Sequence, residues 1–393
     1  MGRDLIVEIK KRKISRRIKN SDIARGLGVS PGTITQYFNE EQQIRIGFIH
    51  FVKLIEIVYD DSVEKRKKLL YEFCSTTKRP ENLRLAMEYS HMIGETELLE
   101  MIINLDLNQK RPNDEWASVY SLLLNRSLGK LRGTTLLQAT EELLNQRKLK
   151  TNEMRILIKV IKMYAYFEMN EHSSMFKLTQ ELSLEINSIK NTYLQESYRV
   201  RMLEAYALGY LFGNDLESAR ETAREIINTE YVEQFGLYVA NAFHVLAQSY
   251  LFESYKEVEK YIQNGIDVLQ NISSTRVKMM KKQMNSTYVF SKVHWSESVD
   301  EETLENKGEL LHLMAKKGKR KEADSILSSL EEENGKLSAF QIYYKGLLYN
   351  DDQLLRKSLE LFKTQGNKFY SKLPLIQLKK ISDEQNQNLE LIW

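Results

Sequence analysis

Ser30, Thr33 and Gln36 recur at three-residue intervals within one short stretch, Asn20–Asn39 (NSDIARGLGVSPGTITQYFN). Hydroxyl and amide groups on one helical face can pair with base edges, which is hydrogen-bond readout rather than covalent chemistry. The stretch predicts two short helices joined by a tight turn. Asn20 or Ser21 is expected to cap the first, whose apolar face is Ile23, Ala24 and Leu27. Gly28 can stop it, because glycine takes positive φ without a Cβ clash. Val29 is expected to turn inward. Ser30 is a good N-cap for the second helix, and Pro31 stands where a helix has no hydrogen bond to lose. Ile34 and Phe38, four apart, share its inner face, leaving Thr33, Gln36 and Asn39 outside. A small residue at the helix crossing, a glycine turn and a polar second helix make a helix-turn-helix. The alternative is an ordinary αα-hairpin, but the fully specified turn, the uncharged outer face and the basic flank favour DNA. Gly32, Thr33 and Gln36 are the expected base readers, with Ser30 and Thr35 on phosphates. Residues 1–20 carry Arg3, Lys10, Lys11, Arg12, Lys13, Arg16, Arg17 and Lys19 against Asp4 and Glu8. Arg16, Arg17, Lys19 and Arg25 are accordingly expected phosphate contacts.

Covalent or metal chemistry finds no comparable constellation. The six histidines (His50, His91, His172, His244, His294, His312) form no HExxH and no i,i+4 pair, so each reads as a surface or packing residue. Cys74 is the single cysteine, which excludes a disulfide framework and a thiolate metal site. No phosphate loop, nucleophile elbow or dinucleotide fingerprint occurs. No metal, cofactor or enzymatic activity is expected. No apolar run approaches membrane-spanning length and the basic start leads into no secretory segment, so a cytoplasmic protein is expected.

With 393 residues, 42% of them apolar, the chain can bury a sizeable core, and its net charge of +3 matters less than where the charge lies. Only four prolines and 17 glycines imply long helices, hence an all-α fold. Leu5–Ile18 reads as a first helix packed through Leu5, Ile6, Ile9, Ile14 and Ile18. Phe48, Ile49, Val52, Leu54, Ile55 and Val58 recur at helical spacing and close a small core. A boundary near Asp60 divides a helix-turn-helix domain, 1–60, from 61–393. The remainder reads as helical hairpins, with turns at Gly94, Asn170, Gly213–Asp215, Glu253–Ser254, Gly318 and Asn350–Asp352. The pair Tyr198–Ile227 resembles a tetratricopeptide repeat, with Ala207, Gly209 and Tyr210 on its first helix and Ala219 and Ala223 on its second. Hairpins of this kind recur every ~40 residues, longer than the ~34 of a standard repeat. None can bury its apolar stripe alone; stacked, they form a superhelix whose concave wall suits an extended peptide.

A helix-turn-helix followed by degenerate tetratricopeptide-like repeats resembles the peptide-pheromone receptors of Gram-positive bacteria, the Rap-Rgg-NprR-PlcR-PrgX superfamily. Within it the chain is most similar to the arbitrium receptors (AimR) of temperate Bacillus phages. The pieces that carry the resemblance are IARGLGVSPGTITQYFN, RMLEAYALGYLFGNDLESARE and IYYKGLLYNDDQLLRKSLELFKTQGNKFYSKLPLIQLKK. The resemblance implies an intracellular homodimer that binds operator DNA and activates a transcript restraining lysogeny. A short re-imported peptide, typically a hexapeptide with an arginine near its C-terminus, would enter the repeats and stop DNA binding. The relatives with phosphatase activity carry a different N-terminal bundle, which argues against that activity here. Asn241, Val245 and Gln248 form one stripe of the implied peptide site. Leu208 and Phe212 occupy a second, where the family often has asparagines. Glu309, Asn367, Phe369 and Tyr370 stand near the family's C-terminal peptide contacts, and the Glu309 carboxylate suits a ligand arginine. The terminal NLELIW is expected to pack Leu389, Leu391, Ile392 and Trp393 across a two-fold axis. A scaffold that sequesters a protein partner, or a host pheromone-dependent regulator, are the alternative readings.

Overall fold

The computed structural model describes residues 3–39, 46–108, 113–146, 149–302, 304 and 306–390, with residues 3, 107, 108 and 384–390 described by backbone alone. Among the described residues the chain is all helical, with twenty-one α-helices, one 3₁₀ turn and no strand. No described helix is long and apolar enough to cross a membrane. Two compact units divide it. The first comprises Met1–Met202, Thr229–Tyr238 and Val268–Lys278; the second comprises Leu203–Asn228, Val239–Asp267 and Met279–Trp393.

The first unit begins with the helix Arg3–Ser15, anchored by the buried Leu5, Ile6 and Ile9. It is shorter than its sequence pattern suggests: Ile14 is exposed and Ile18 lies beyond its end. The helix stops because Arg17 turns into left-handed backbone, φ 56°. The helices Asn20–Leu27 and Pro31–Tyr37 follow, then Phe48–Val58, which packs against both the first and the second helix. Phe48, Phe51, Val52, Leu54, Ile55 and Val58 are its buried face, and Phe51 stacks on Phe73 of the helix Val63–Thr76 at 4.2 Å. Burying a ring of this size contributes about 1.5–3 kcal/mol. Asn82 fixes where Phe48–Val58 begins. Its Oδ1 accepts from the Phe48 N–H at 3.0 Å, and its Nδ2 donates to the Ile46 carbonyl.

Deeper in this unit lies a buried polar network. Arg201 donates from Nε and Nη2 to Glu88 Oε1, and from Nη1 to the Tyr238 hydroxyl. Tyr120 donates to the other Glu88 oxygen at 2.6 Å, and His91 Nδ1 lies 2.9 Å from Arg201 Nη2. Burial together with three nearby arginines holds His91 well below the usual histidine range, so the ring is neutral and accepts from the guanidinium.

The second unit shows how the hairpins turn. In Asn214–Asp215 and Asn350–Asp351 the asparagine takes left-handed backbone, at φ 68° and 52°. The aspartate then accepts hydrogen bonds from the next helix's first turn. One residue closes a helix and its neighbour opens the following one. Ala219 and Ala223 are fully buried, as the tetratricopeptide-like spacing requires. Two helices lie outside the hairpins that the sequence pattern marks, Thr275–Trp295 and Lys372–Glu390.

Candidate functional site

The turn Gly28–Pro31 folds as its residue types require. Gly28 has φ 68°, Pro31 opens the second helix, and Ser30 Oγ accepts from the Thr33 N–H at 3.2 Å. Ile23, Ala24, Leu27, Ile34 and Phe38 are buried, and Val29 is half-buried. The first cap differs from expectation: Lys19 occupies the N-cap and makes no side-chain cap bond. Asn20 is already helical, and its Nδ2 donates across to Thr35 Oγ1 at 3.2 Å. Ser21 is exposed inside the helix.

On the outer face, Gly32, Thr35 and Gln36 are exposed and Thr33 is half-buried. A Cβ at Gly32 would meet nothing closer than Ser30 Oγ at 3.6 Å, so the fold itself does not demand the glycine. Thr33 and Ser30 lie 3.0 Å apart through their hydroxyls, and Thr35 also donates to the Pro31 carbonyl. Arg17, Lys19 and Arg25 are exposed, Arg25 with only a 3.9 Å approach to Asp22. Arg16 is different. It pairs with Asp60, approaches Asp61 at 3.8 Å, and reaches the Val58 carbonyl. Its partners hold its guanidinium above, and the Asp60 carboxyl below, their ordinary values through that hydrogen bond. Sequence reasoning also missed the bond from Tyr37 to His50 Nδ1 at 3.0 Å, which ties the second helix to Phe48–Val58.

The residues named for a peptide mostly gather in the second unit around Tyr370. Gln248 Nε2 donates to the Tyr370 hydroxyl at 3.1 Å, and Asn367 Oδ1 accepts from the Tyr370 N–H. The Phe212 carbonyl accepts from the N–H groups of Lys368 and Phe369. Phe369 and Val245 are enclosed, Phe369 with its ring 5.0 Å from Phe252. Leu208 is half-buried. Asn241 stands apart from the Tyr370 group in its bonding, donating to Glu204 at 2.8 Å. Leu391, Ile392 and Trp393 lie outside the described residues, and Leu389 is described by backbone alone in the helix Lys372–Glu390.

Glu309 is the one carboxylate among the residues named for a peptide. Its Oε1 accepts from Ser286 Oγ at 2.9 Å, and Ser286 is held in turn by Asn306 Nδ2 at 3.0 Å. Its Oε2 is buried without a partner. Desolvation pushes the carboxyl up to about 7, with Ser286 pulling slightly the other way. The surroundings are aromatic: one turn on, His312 stacks on Tyr344 at 4.5 Å and lies 4.9 Å from Phe290. Ser286 and Phe290 belong to Thr275–Trp295, the unforeseen helix, so sequence reading missed half of this wall. A buried carboxylate with one empty oxygen is arranged to take a cationic donor. Among the described residues no group of histidine, cysteine or carboxylate side chains could hold a metal ion.

A model of the AimR transcriptional regulator-like family matches residues 66–380. The chain belongs to that family. AimR-like relatives include the AimR transcriptional regulator of Bacillus phage phi3T, 28% identical over 344 residues that cover 84% of this chain and 85% of the relative. The AimR transcriptional regulator of Bacillus phage SPbeta is 21% identical, covering 92% of both chains. An uncharacterised Bacillus anthracis protein is 32% identical over 65% of this chain and 96% of its own length. Two solved AimR structures share the fold. SeMet-phAimR has a TM-score of 0.76 at 21% identity, covering 96% of this chain and 97% of its own. The ligand complex of phAimR has a TM-score of 0.69 at 22% identity, covering 86% and 98%. The family is one of transcriptional regulators, and this AimR-like chain is not an enzyme.

Proposed function

We propose that the chain is a peptide-sensing, DNA-binding regulator of a phage's choice between lysis and lysogeny. Residues 1–60 are the DNA-binding domain and 61–393 the repeat array. It acts as a homodimer in the host cytoplasm, activates a downstream transcript, and is switched off by a short imported peptide. One observation carries the reading: an AimR-like repeat region shares its chain with a helix-turn-helix whose exposed face is uncharged and hydrogen-bonding. Gly32, Thr33 and Gln36 meet base edges while Arg17, Lys19 and Arg25 meet phosphates. Thr35 and Ser30 hold the recognition helix as much as they contact the backbone of the DNA, given the internal bonds they already make. Arg16 serves to fasten the domain rather than to bind phosphate.

For the peptide, the Tyr370 group and Glu309 form the receiving surface. The empty Glu309 oxygen accepts the peptide's arginine, and Gln248, Asn241 and Asn367 exchange their internal bonds for peptide backbone. Leu208, Phe212, Val245 and Phe369 shape the apolar surroundings. Leu389, Leu391, Ile392 and Trp393 join two copies. The test is DNA binding by the purified protein to the intergenic regions beside its own gene, with and without the peptide encoded next to it. Specific binding abolished by peptide is the expected result; binding indifferent to sequence and to peptide would overturn the reading.

A further inference from the structure

We propose that the first unit contains a second ligand site, a cavity behind the helix-turn-helix that takes a small organic amine with an apolar body. The cavity measures about 220 Å³, below the ~300–1,000 Å³ of pockets for drug-sized ligands, so its occupant is a small molecule and not a peptide. Its apolar walls are supplied by Val52, Ile55, Leu70, Ile93, Leu98 and Ile272. Its charged groups are Glu56, Asp60, Arg66, Lys67, Glu95 and Glu233.

The charges decide the class of ligand. Lys67 lies 3.0 Å from Glu95, so those two neutralise each other. Asp60 is taken by Arg16. Arg66 donates from Nη2 to the Asn271 carbonyl at 3.2 Å. Glu56 and Glu233 remain, two carboxyls in hydrogen-bond contact whose full ionisation each opposes in the other, with Gln234 Nε2 donating to Glu56 Oε2 at 2.9 Å. Arg66 offsets one of them only in part. Burial and the Glu233 charge push the Glu56 carboxyl up to about 8, against the pull of Arg66 and Gln234, and the buried Tyr89 phenol adds no cation. An anion would add negative charge beside two carboxyls, and a neutral guest would bring no charge to let both ionise. An ammonium has three donors and relieves both.

The place of the cavity gives its occupant a lever. Glu56 lies on Phe48–Val58, and the next residue, Ile57, is the one that a Cβ on Gly26 of the helix-turn-helix would strike, at 2.6 Å from its Cδ1. An amine held at Glu56 bears on the helix that supports the DNA-binding hairpin.

The test is calorimetric titration of the full-length protein with phenethylamine, against 2-phenylethanol as the neutral analogue and 3-phenylpropionate as the anion. The amine alone is expected to bind. Its affinity rises with pH toward 8, because the ionised Glu56 is the form that receives it. Glu56→Gln should weaken it at least about tenfold. Circular dichroism checks that this variant folds, and the exposed Glu233→Gln provides a second variant whose fold is not at risk. Binding of the amine no better than the alcohol, binding unchanged in both variants, or no binding at all would overturn the proposal.

Discussion

Arg201 and Glu88 meet at 2.9 Å with neither side chain reaching solvent. They stand 113 positions apart in the chain yet share one buried network with Tyr120, His91 and Tyr238. Removing one partner of such a pair leaves an uncompensated buried charge, which costs about 3–5 kcal/mol. A domain of ordinary stability has only about 5–15 kcal/mol to lose. Glu88→Ala and Arg201→Met should each lower the urea midpoint sharply, and the double variant Glu88→Ala with Arg201→Met should lose less than the sum of the two, because no lone buried charge remains. Single variants within about 1 kcal/mol of the parent would mean that the network is not what holds this core.

The proposed DNA face separates into two kinds of substitution. Gln36→Ala should reduce discrimination between operator and scrambled DNA by about 1–3 kcal/mol while leaving nonspecific affinity alone. Arg17→Gly should weaken every sequence alike and reduce the salt slope by about one unit. Arg17 has φ 56°, where glycine is at least as comfortable, so its loss removes charge without unfolding the turn. Arg16→Ala should instead lower the melting temperature and leave the salt slope unchanged. Fluorescence anisotropy across a salt series distinguishes the three, and a salt slope unmoved by Arg17→Gly would remove that residue from the phosphate contacts.

The helix-turn-helix was legible because its signals are local. Gly28, Ser30 and Pro31 act within four residues of one another, and the structure gives each the role its chemistry implies. The bond between Arg16 and Asp60 joins positions 44 apart, and no local pattern announces it. The same contrast holds in the second unit. Asn350–Asp351 marks a turn from sequence alone, while Thr275–Trp295 does not read as a helix. Its buried Val277, Met284, Phe290 and Val293 are too sparse to make a continuous stripe, and Met279 is exposed. Glu309 could be singled out only through the family resemblance. Its paired oxygen is held by Ser286, from the helix that the pattern concealed, while the other oxygen has no partner.

Glu309 predicts a pH dependence of peptide binding with a definite sign. Its carboxyl sits near 7 in the empty protein and would fall when a peptide arginine arrives. The complex then holds fewer protons, so binding strengthens as pH rises toward 7 and levels off above it. Stability of the empty protein moves the opposite way. The folded state holds this proton more tightly than the unfolded chain, so the Glu309 contribution to stability falls between about pH 4.5 and 7, by about 3 kcal/mol. Glu309→Gln should abolish the binding dependence, remove its own share of the stability dependence while leaving that of Glu56, and weaken an arginine-containing peptide far more than its citrulline analogue. Titrations at about pH 5.5 and about pH 7.5 read the first effect, and urea unfolding over the same range reads the second. Equal affinity for the two peptides would remove Glu309 from the site.

Gly26 and Ile57 set how closely the helix-turn-helix lies on its support. Alanine at Gly26 should gain up to about 1 kcal/mol of helix propensity. Its Cβ would also stand 2.6 Å from Ile57 Cδ1, so that side chain must move. The two effects oppose, and Gly26→Ala alone is expected to be close to neutral. In an Ile57→Val background the obstructing methyl is gone, and the same substitution should stabilise by about 0.5–1 kcal/mol. The coupling between the two positions, read from urea unfolding of the four proteins in the cycle, is therefore expected to be favourable by at least about 0.5 kcal/mol. Additive effects would mean that the helix approach is set elsewhere along Asn20–Leu27, with Ala24 as the remaining small residue at the crossing. If the contact does position the recognition helix, specific DNA affinity should drop in Gly26→Ala and return in the double variant, even where stability barely changes.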